Sequence, residues 1–404
     1  MIEGLRKTYY RLLDELEINT FRYLYHSFSI EGRLTGLVGP RGVGKTTLLL
    51  QFIKNQIRNP QDAFYFSADH IYFNKNSLWE FVQQLYEEED VKLFFIDEIH
   101  KYNNWNQELK NIYDSFPHIK IVFSGSSSLD LVEGSHDLSR RAVIHYMKGF
   151  SFREYLNFST GDNFEIINFA DIINNPAGVA GKLAVIPKIK GHFTTYLRQG
   201  YYPFVFEDGS HFFSRLETVI NKTIYEDIAN YYNLKTINLH YFKKILSFLA
   251  TIPPGKTSMN NLAGNLGIDS KTTLHYVHIL HNTGLARILN TDQRGTKLLR
   301  APEKVFLENT TLLHAICDGL GQTVDIGTQR ELAFVIALTD SGKTVYCSKK
   351  RGDFTVDKII FEIGGKNKTS RQIRNADKPA FLVKDDVLTG GKKTIPLYLL
   401  GFLY

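Results

Sequence analysis

The stretch Gly36–Phe52, "GLVGPRGVGKTTLLLQF", fixes the reading of the first third of the chain. Residues 33–38 form a short apolar run ending near glycine, the pattern of a buried strand, and the run from Thr46 onward has helical spacing. Between them, Gly39-Pro40-Arg41-Gly42-Val43-Gly44-Lys45-Thr46 is a complete GxxxxGK[ST] loop, with Thr47 following in the helix. Glycines let successive backbone N–H groups turn inward onto phosphate oxygens. Lys45 is placed to neutralise the β- and γ-phosphates, the Thr46 hydroxyl to ligate Mg²⁺, and the helix N-terminus adds its positive end. The implied ligand is a nucleoside triphosphate, ATP or GTP.

A second apolar run, Leu93–Ile96, delivers Asp97-Glu98 to its C-terminal end in "VKLFFIDEIHKYNNW". Asp97 suits the Mg²⁺ shell and Glu98 suits a water in line with the γ-phosphate, so the pair favours hydrolysis over transfer to a small-molecule acceptor. Another strand in "HIKIVFSGSSSLDLV" ends at Ser124-Gly125-Ser126, where a hydroxyl can sense the γ-phosphate. Arg140 and Arg141 precede a fifth strand. Five strands alternating with helices predict a parallel α/β sandwich with its site at the strand C-termini.

The bulk composition agrees. A chain of 404 residues with 43% apolar and 22% charged residues is globular, and its formal charge of +6 permits a nucleic-acid partner without requiring one. Its 22 tyrosines and 29 phenylalanines predict ring-rich cores. Two isolated cysteines, Cys317 and Cys347, exclude a disulfide framework and a thiolate zinc site and suit a reducing cytoplasm. The N-terminus lacks the apolar core of a signal peptide, and no run approaches the ~20 apolar residues of a membrane span.

The loop Gly39–Thr46, followed in order by "FFIDEIHKYNNW", "FSGSSS", "LSRR" and "GFSFREYL", resembles the AAA+-like prokaryotic ATPases that carry a C-terminal domain of unknown function. The resemblance implies ATP rather than GTP, a Walker B strand not adjacent to the Walker A strand, and Ser124 or Ser126 as sensor 1. It places Arg140 or Arg141 where such ATPases offer an arginine finger to a neighbouring subunit, and so implies a homo-oligomer. "YLRQGYYPFVFE" resembles their proline-bearing lid, which makes Pro203 the residue over the base. Arg198 reads either as a second sensor or as an ordinary solvated arginine.

Residues 239–290 read as a helix, a short helix ending at glycine, and a third helix that stops at Gly284 before a strand, the succession of a winged helix. In a DNA reader, Ser270, Lys271, Thr272 and His275 would face the major groove. Further on, Glu331 on a helix, Asp353 on a strand and then Glu362 resemble the acidic positions of the PD-(D/E)xK nuclease fold, where carboxylates hold Mg²⁺ against a scissile phosphate. Gly364 stands where that fold carries lysine, and Lys366 is the candidate replacement. A hairpin is expected to turn at Asp357-Lys358. Residues 340–378 hold ten Lys/Arg against five Asp/Glu, which favours phosphate contact whether or not the carboxylates are active.

The expected architecture is therefore α/β: a P-loop NTPase parallel sheet of the AAA+/ASCE type (1–160), a helical lid (161–235), a winged helix (236–305) and a small α/β nuclease-like domain (306–404). The expected chemistry is Mg²⁺-dependent ATP hydrolysis acting on nucleic acid, with DNA cleavage left open. The alternative is a nucleotide-gated switch whose inactive nuclease-like tail binds another protein.

Overall fold

The computed structural model describes residues 2–17, 20–125, 138, 140–255, 258–292, 302–349, 351–374 and 376–404. The chain divides into two compact units, Met1–Lys148 and Gly149–Tyr404.

The first unit is built on a five-stranded sheet. Helix α1 (Ile2–Glu15) precedes β1 (Leu34–Val38) and α2 (Lys45–Gln56). There follow β2 (Ala63–Ser67), α3 (Leu78–Glu89), β3 (Leu93–Asp97), α4 (Trp105–Ser115), β4 (Lys120–Gly125) and β5 (Ala142–Tyr146). The strand order is β2-β3-β4-β1-β5 and every pairing is parallel. β1 is buried at all five positions, as strands covered on both faces must be, which is why it reads as a continuous apolar run. β4 lies between β1 and β3, so the phosphate loop and the acidic strand end are separated by one strand, as expected.

Helix α3 starts where the Ser77 hydroxyl accepts the Glu80 N–H and stops at Asp90, whose φ of 56° ends the helical path. It buries Leu78, Phe81, Val82 and Leu85. Phe81 stands with Phe64, Phe66 and Phe73 at centroid separations of 5.0–5.7 Å. Truncating this ring to alanine would cost about 3–5 kcal/mol, the usual value for a buried phenylalanine.

The second unit opens with α5 (Phe152–Thr160), capped reciprocally by Ser151 and Glu154. The Tyr404 carbonyl oxygen folds back onto this cap, accepting from Ser151 Oγ at 2.7 Å and Arg153 Nε at 2.9 Å. Helices α6 (Ile189–Gln199) and α7 (Phe212–Lys222) follow, the latter running into a π-helical stretch, Thr223–Ile228. Then α8 (Thr236–Thr251), α9 (Met259–Leu266) and α10 (Ser270–Asn282) lead into an antiparallel pair, β6 (Ala286–Leu289) and β7 (Lys304–Leu307).

Helices α11 (Thr310–Gly319) and α12 (Ile326–Asp340) precede a mixed sheet of β8 (Tyr346–Cys347), β9 (Phe354–Val356), β10 (Ile359–Gly364), β11 (Ala380–Lys384) and β12 (Thr394–Pro396), in sequential order. β8, β9 and β10 pair antiparallel, while β10, β11 and β12 pair parallel. The β9–β10 turn is Asp357-Lys358, with φ of 48° and 68°, the two-residue hairpin expected from the sequence.

A buried ionic network ties this unit together. Arg287 on β6 donates to Glu308 Oε1 at 2.6 Å and to Asp340 Oδ1 at 2.8 Å, and Tyr201 O–H reaches Asp340 Oδ2 at 3.3 Å. The two carboxylates hold the guanidinium well above its usual pKa against the opposing effect of burial. Among the described residues, no helix is long and apolar enough to cross a membrane.

Candidate functional site

The tips of β1, β3 and β4 come side by side because the registers pair Leu37 with Ser124 and Ile96 with Phe123. The chain leaving β1 enters α2 through Gly42 and Gly44, with φ of 80° and 93°. Gly44 is the N-cap of α2, so a left-handed residue without Cβ starts a helix whose first-turn N–H groups have no acceptor within the helix itself. Lys45 is buried, and its ammonium donates to the Gly39 and Pro40 carbonyls, both at 2.9 Å, across the mouth of its own loop.

Asp97 is the hub. Its Oδ2 accepts from Thr46 Oγ1 at 2.6 Å and from Tyr65 O–H at 2.8 Å. Its Oδ1 accepts the Glu98 N–H at 3.1 Å and the Ser124 hydroxyl. A buried carboxylate with four donors is held in one orientation. Thr46 and Asp97 therefore present hydroxyl and carboxylate oxygens together at the end of a phosphate loop. That donor set fits Mg²⁺, which takes one or two protein oxygens and completes its shell with phosphates and water.

Glu98 has φ of 53°, an uncommon backbone conformation for a residue with Cβ. The twist sends its N–H to Ser124 Oγ (3.1 Å) as well as to Asp97. Its Oε2 is buried and accepts no hydrogen bond from the described residues, with His100 Nε2 at 3.5 Å. A strained carboxylate with an open acceptor can take a proton from water.

Tyr65 was not singled out by the sequence reading. It sits two residues before the end of β2, whose Ser67 pairs with Asp97, so its side chain shares the face that reaches the hub. Burial and the neighbouring carboxylate push its phenol far above the ordinary value, which keeps it a donor. A polar-tipped ring near a strand end beside the acidic strand was the available signal. Arg22 was also missed: it is buried and donates to the Val43 carbonyl in the loop and to the Lys148 carbonyl at 2.6 Å.

Other expected residues fall elsewhere. Ser126 lies outside the described residues. Arg140 is exposed in the turn before β5, and Arg141 pairs with Asp114 at 3.4 Å. Arg198 pairs with Asp318 at 2.9 Å, which is the ordinary surface reading. Pro203 lies in the second unit, in the turn whose neighbours Tyr201, Tyr202 and Phe204 are buried. On α10, two of the supposed groove-facing groups are already engaged. Ser270 Oγ donates to Asn260 at 2.8 Å and Thr272 Oγ1 to the N-cap Asp269 at 2.6 Å, leaving Lys271 and His275 exposed.

In the C-terminal sheet, Glu331 lies on α12, Asp353 just before β9, and Glu362 in β10. Lys366 is not the lysine on Glu362: it is exposed, with Nζ 3.9 Å from Asp386. Lys368 takes that place, its Nζ 2.5 Å from Glu362 Oε1, while Lys304 Nζ lies 2.6 Å from Glu331 Oε2. Among the described residues no three acidic, His or Cys side chains are disposed to hold a metal. As arranged, the trio does not fit a divalent cation.

Residues 31–156 match the family model of an AAA domain, and residues 190–323 match a domain of unknown function, DUF8612. The second match spans α6 to α11 and ends before the carboxylate trio, so it lends the nuclease resemblance no support. A search of curated proteins finds no match. Among solved structures, Orc1 of Aeropyrum pernix in complex with DNA aligns at 13% identity over 78% of this chain and 92% of its own, with a TM-score of 0.30. AMPPCP-bound DnaA of Aquifex aeolicus aligns at 17% identity over 69% and 88%, with a TM-score of 0.27. PCH-2 of C. elegans aligns at 18% identity over 38% and 43%, with a TM-score of 0.23. The stretch that matches the AAA domain holds the phosphate loop, all five strands of the first sheet and the start of α5.

Proposed function

We propose that the chain is a Mg²⁺-dependent ATP hydrolase whose nucleotide state is passed to the Gly149–Tyr404 unit and, through it, to nucleic acid. The observation that carries this reading is the convergence of Thr46, Ser124, Tyr65 and the Glu98 N–H on Asp97 at the end of the phosphate loop. Bound Mg²⁺ would supply neutralisation of the phosphate charge. Thr46 and Asp97 would hold it, the loop amides from Arg41 to Thr47 would orient the phosphates, and Lys45 would move from its own carbonyls onto them. Glu98 accepts the proton of the attacking water through its open Oε2. Ser124 joins Glu98 to Asp97, so loss of the γ-phosphate is felt along β4. Arg140, exposed before the edge strand β5, is the better placed of the two arginines to reach a second copy, since Arg141 is engaged by Asp114.

Support for a nucleic-acid partner comes from the crossover between β10 and β11, where Lys366, Arg371, Arg374 and Lys378 are all exposed. A second reading, a protein partner gated by nucleotide, draws on α10. There Asp269 is kept ionised by the Thr272 hydroxyl and amide at the helix end a DNA reader turns to the groove. The test is ATP turnover by the purified protein with and without single- and double-stranded DNA. Several-fold stimulation supports action on nucleic acid. An unchanged basal rate moves the reading to a protein partner, and no Lys45-dependent turnover refutes the hydrolase.

A further inference from the structure

Three acidic side chains, Glu331, Asp353 and Glu362, lie within electrostatic reach of one another through Asp353 in the second unit, and the ATPase reading uses none of them. Two are answered by ammonium groups from different parts of the fold. Lys304 comes from β7, lies over the Phe354 ring at 4.9 Å and ends 2.6 Å from Glu331. Lys368 comes from the β10–β11 crossover and ends 2.5 Å from Glu362, which is fully buried. Gly364 makes this approach possible, because a Cβ there would stand 2.5 Å from the Lys368 side chain. The Gln372 amide, with its nitrogen toward the carboxylate, donates to both Glu362 oxygens. Asp353 Oδ2 accepts the Ile363 N–H at 2.7 Å.

Glu331 Oε2, both oxygens of Glu362 and Asp353 Oδ2 thus already have donors. Mg²⁺ requires ligands at about 2.0–2.1 Å in octahedral array and retains several waters, and ammonium groups in contact with both glutamates deny it that space.

We propose that this centre is a metal-independent ion-pair joint: Lys304 and Lys368 take the place of a divalent cation and fasten β7 to α12 and the β10–β11 crossover to β10. The joint replaces phosphodiester cleavage rather than assisting it, and it stands whether or not the first unit hydrolyses ATP.

The test uses the full chain without nucleotide. Mn²⁺ and Mg²⁺ are titrated while Tm is followed, and cleavage of plasmid and single-stranded DNA is assayed in parallel. The expected result is no metal-dependent cleavage and the same metal response of Tm in the wild type and Glu362→Gln. Lys368→Met should lower Tm, and adding Glu362→Gln to it should recover part of the loss, because the second change removes the carboxylate left buried and unpaired. Lys304→Met with Glu331→Gln should behave likewise. The proposal is overturned if Mn²⁺ raises the wild-type Tm but not that of Glu362→Gln, if metal-dependent cleavage is seen and lost in Glu362→Gln, or if Lys368→Met is as stable as the wild type. The wild-type cleavage assay decides even if a variant fails to fold.

Discussion

Replacing Tyr65 with phenylalanine removes one oxygen from the core of the site and little else. The ring keeps its packing, including its 6.3 Å stack against Tyr9, while Asp97 goes from four donors to three. Because Asp97 Oδ2 still accepts from Thr46, no buried charge is orphaned, and the loss is that of one bond to a charged acceptor, about 1.5–3 kcal/mol. At about 1.4 kcal/mol per tenfold, that is roughly a 10- to 150-fold effect if all of it falls on the metal-bound state. The loss typical when a group supporting a metal ligand is removed, about 10–100-fold, agrees. The assay is ATP turnover against Mg²⁺ at saturating ATP, with nucleotide binding measured separately without metal. The half-saturating Mg²⁺ concentration should rise by one to two decades or turnover should fall by as much, while metal-free ATP binding stays, since Lys45 and the loop amides are untouched. Wild-type Mg²⁺ dependence and turnover would refute the hub. So would a loss of metal-free binding as large as the loss of turnover.

Other outcomes can be set against this one. Glu98→Gln should reduce turnover by about 10²–10⁴-fold, the range for a general base, while ATP is still retained on the protein; turnover close to wild type would remove Glu98 from the reaction. Arg287→Met strands Glu308 and Asp340 as buried carboxylates and should cost about 3–5 kcal/mol in denaturant unfolding of the second unit, leaving nucleotide binding intact. Alanine at Arg371, Arg374 and Lys378 together should flatten the salt dependence of DNA binding by about three units of log–log slope, near one per phosphate contact; an unchanged slope would place the contacts elsewhere. Burial holds Glu331 and Glu362 above the ordinary 4.5, so their share of stability is present below that pH and is lost as pH rises through the raised folded values. Relative to Glu331→Gln/Glu362→Gln, whose amides do not titrate, the wild-type Tm should accordingly fall as pH climbs from below 4.5, and a constant or rising relative Tm would contradict it.

The local features of the fold were legible because their signals are local. The phosphate loop needs its residues within one turn, the five strands are apolar runs bounded by turn residues, and Asp357-Lys358 is a two-residue turn between two short strands. The site was harder to read where it depends on register. Tyr65 and Asp97 are 32 residues apart, and only the parallel pairing of β2 with β3 brings them into contact. The choice of Lys368 over Lys366 turns on how the crossover leaves β10, which Gly364 permits but does not announce. Ser270 and Thr272 were assigned outward because spacing marks a helix face, whereas hydroxyls at a helix start are drawn to the cap. Arg287 carries no local sign of its role, since its partners lie 21 and 53 residues downstream.

That last separation bears on how this chain can be cut. Any fragment ending between Leu289 and Glu308 keeps the guanidinium and discards both of its carboxylates, and the complementary fragment inherits two acids with no base. Neither piece can be recombined onto another protein as a self-sufficient cassette without first repairing the severed interior. A gene-shuffling event, or an expression strategy, that respects this network must carry everything from Arg287 to Asp340 as one heritable block.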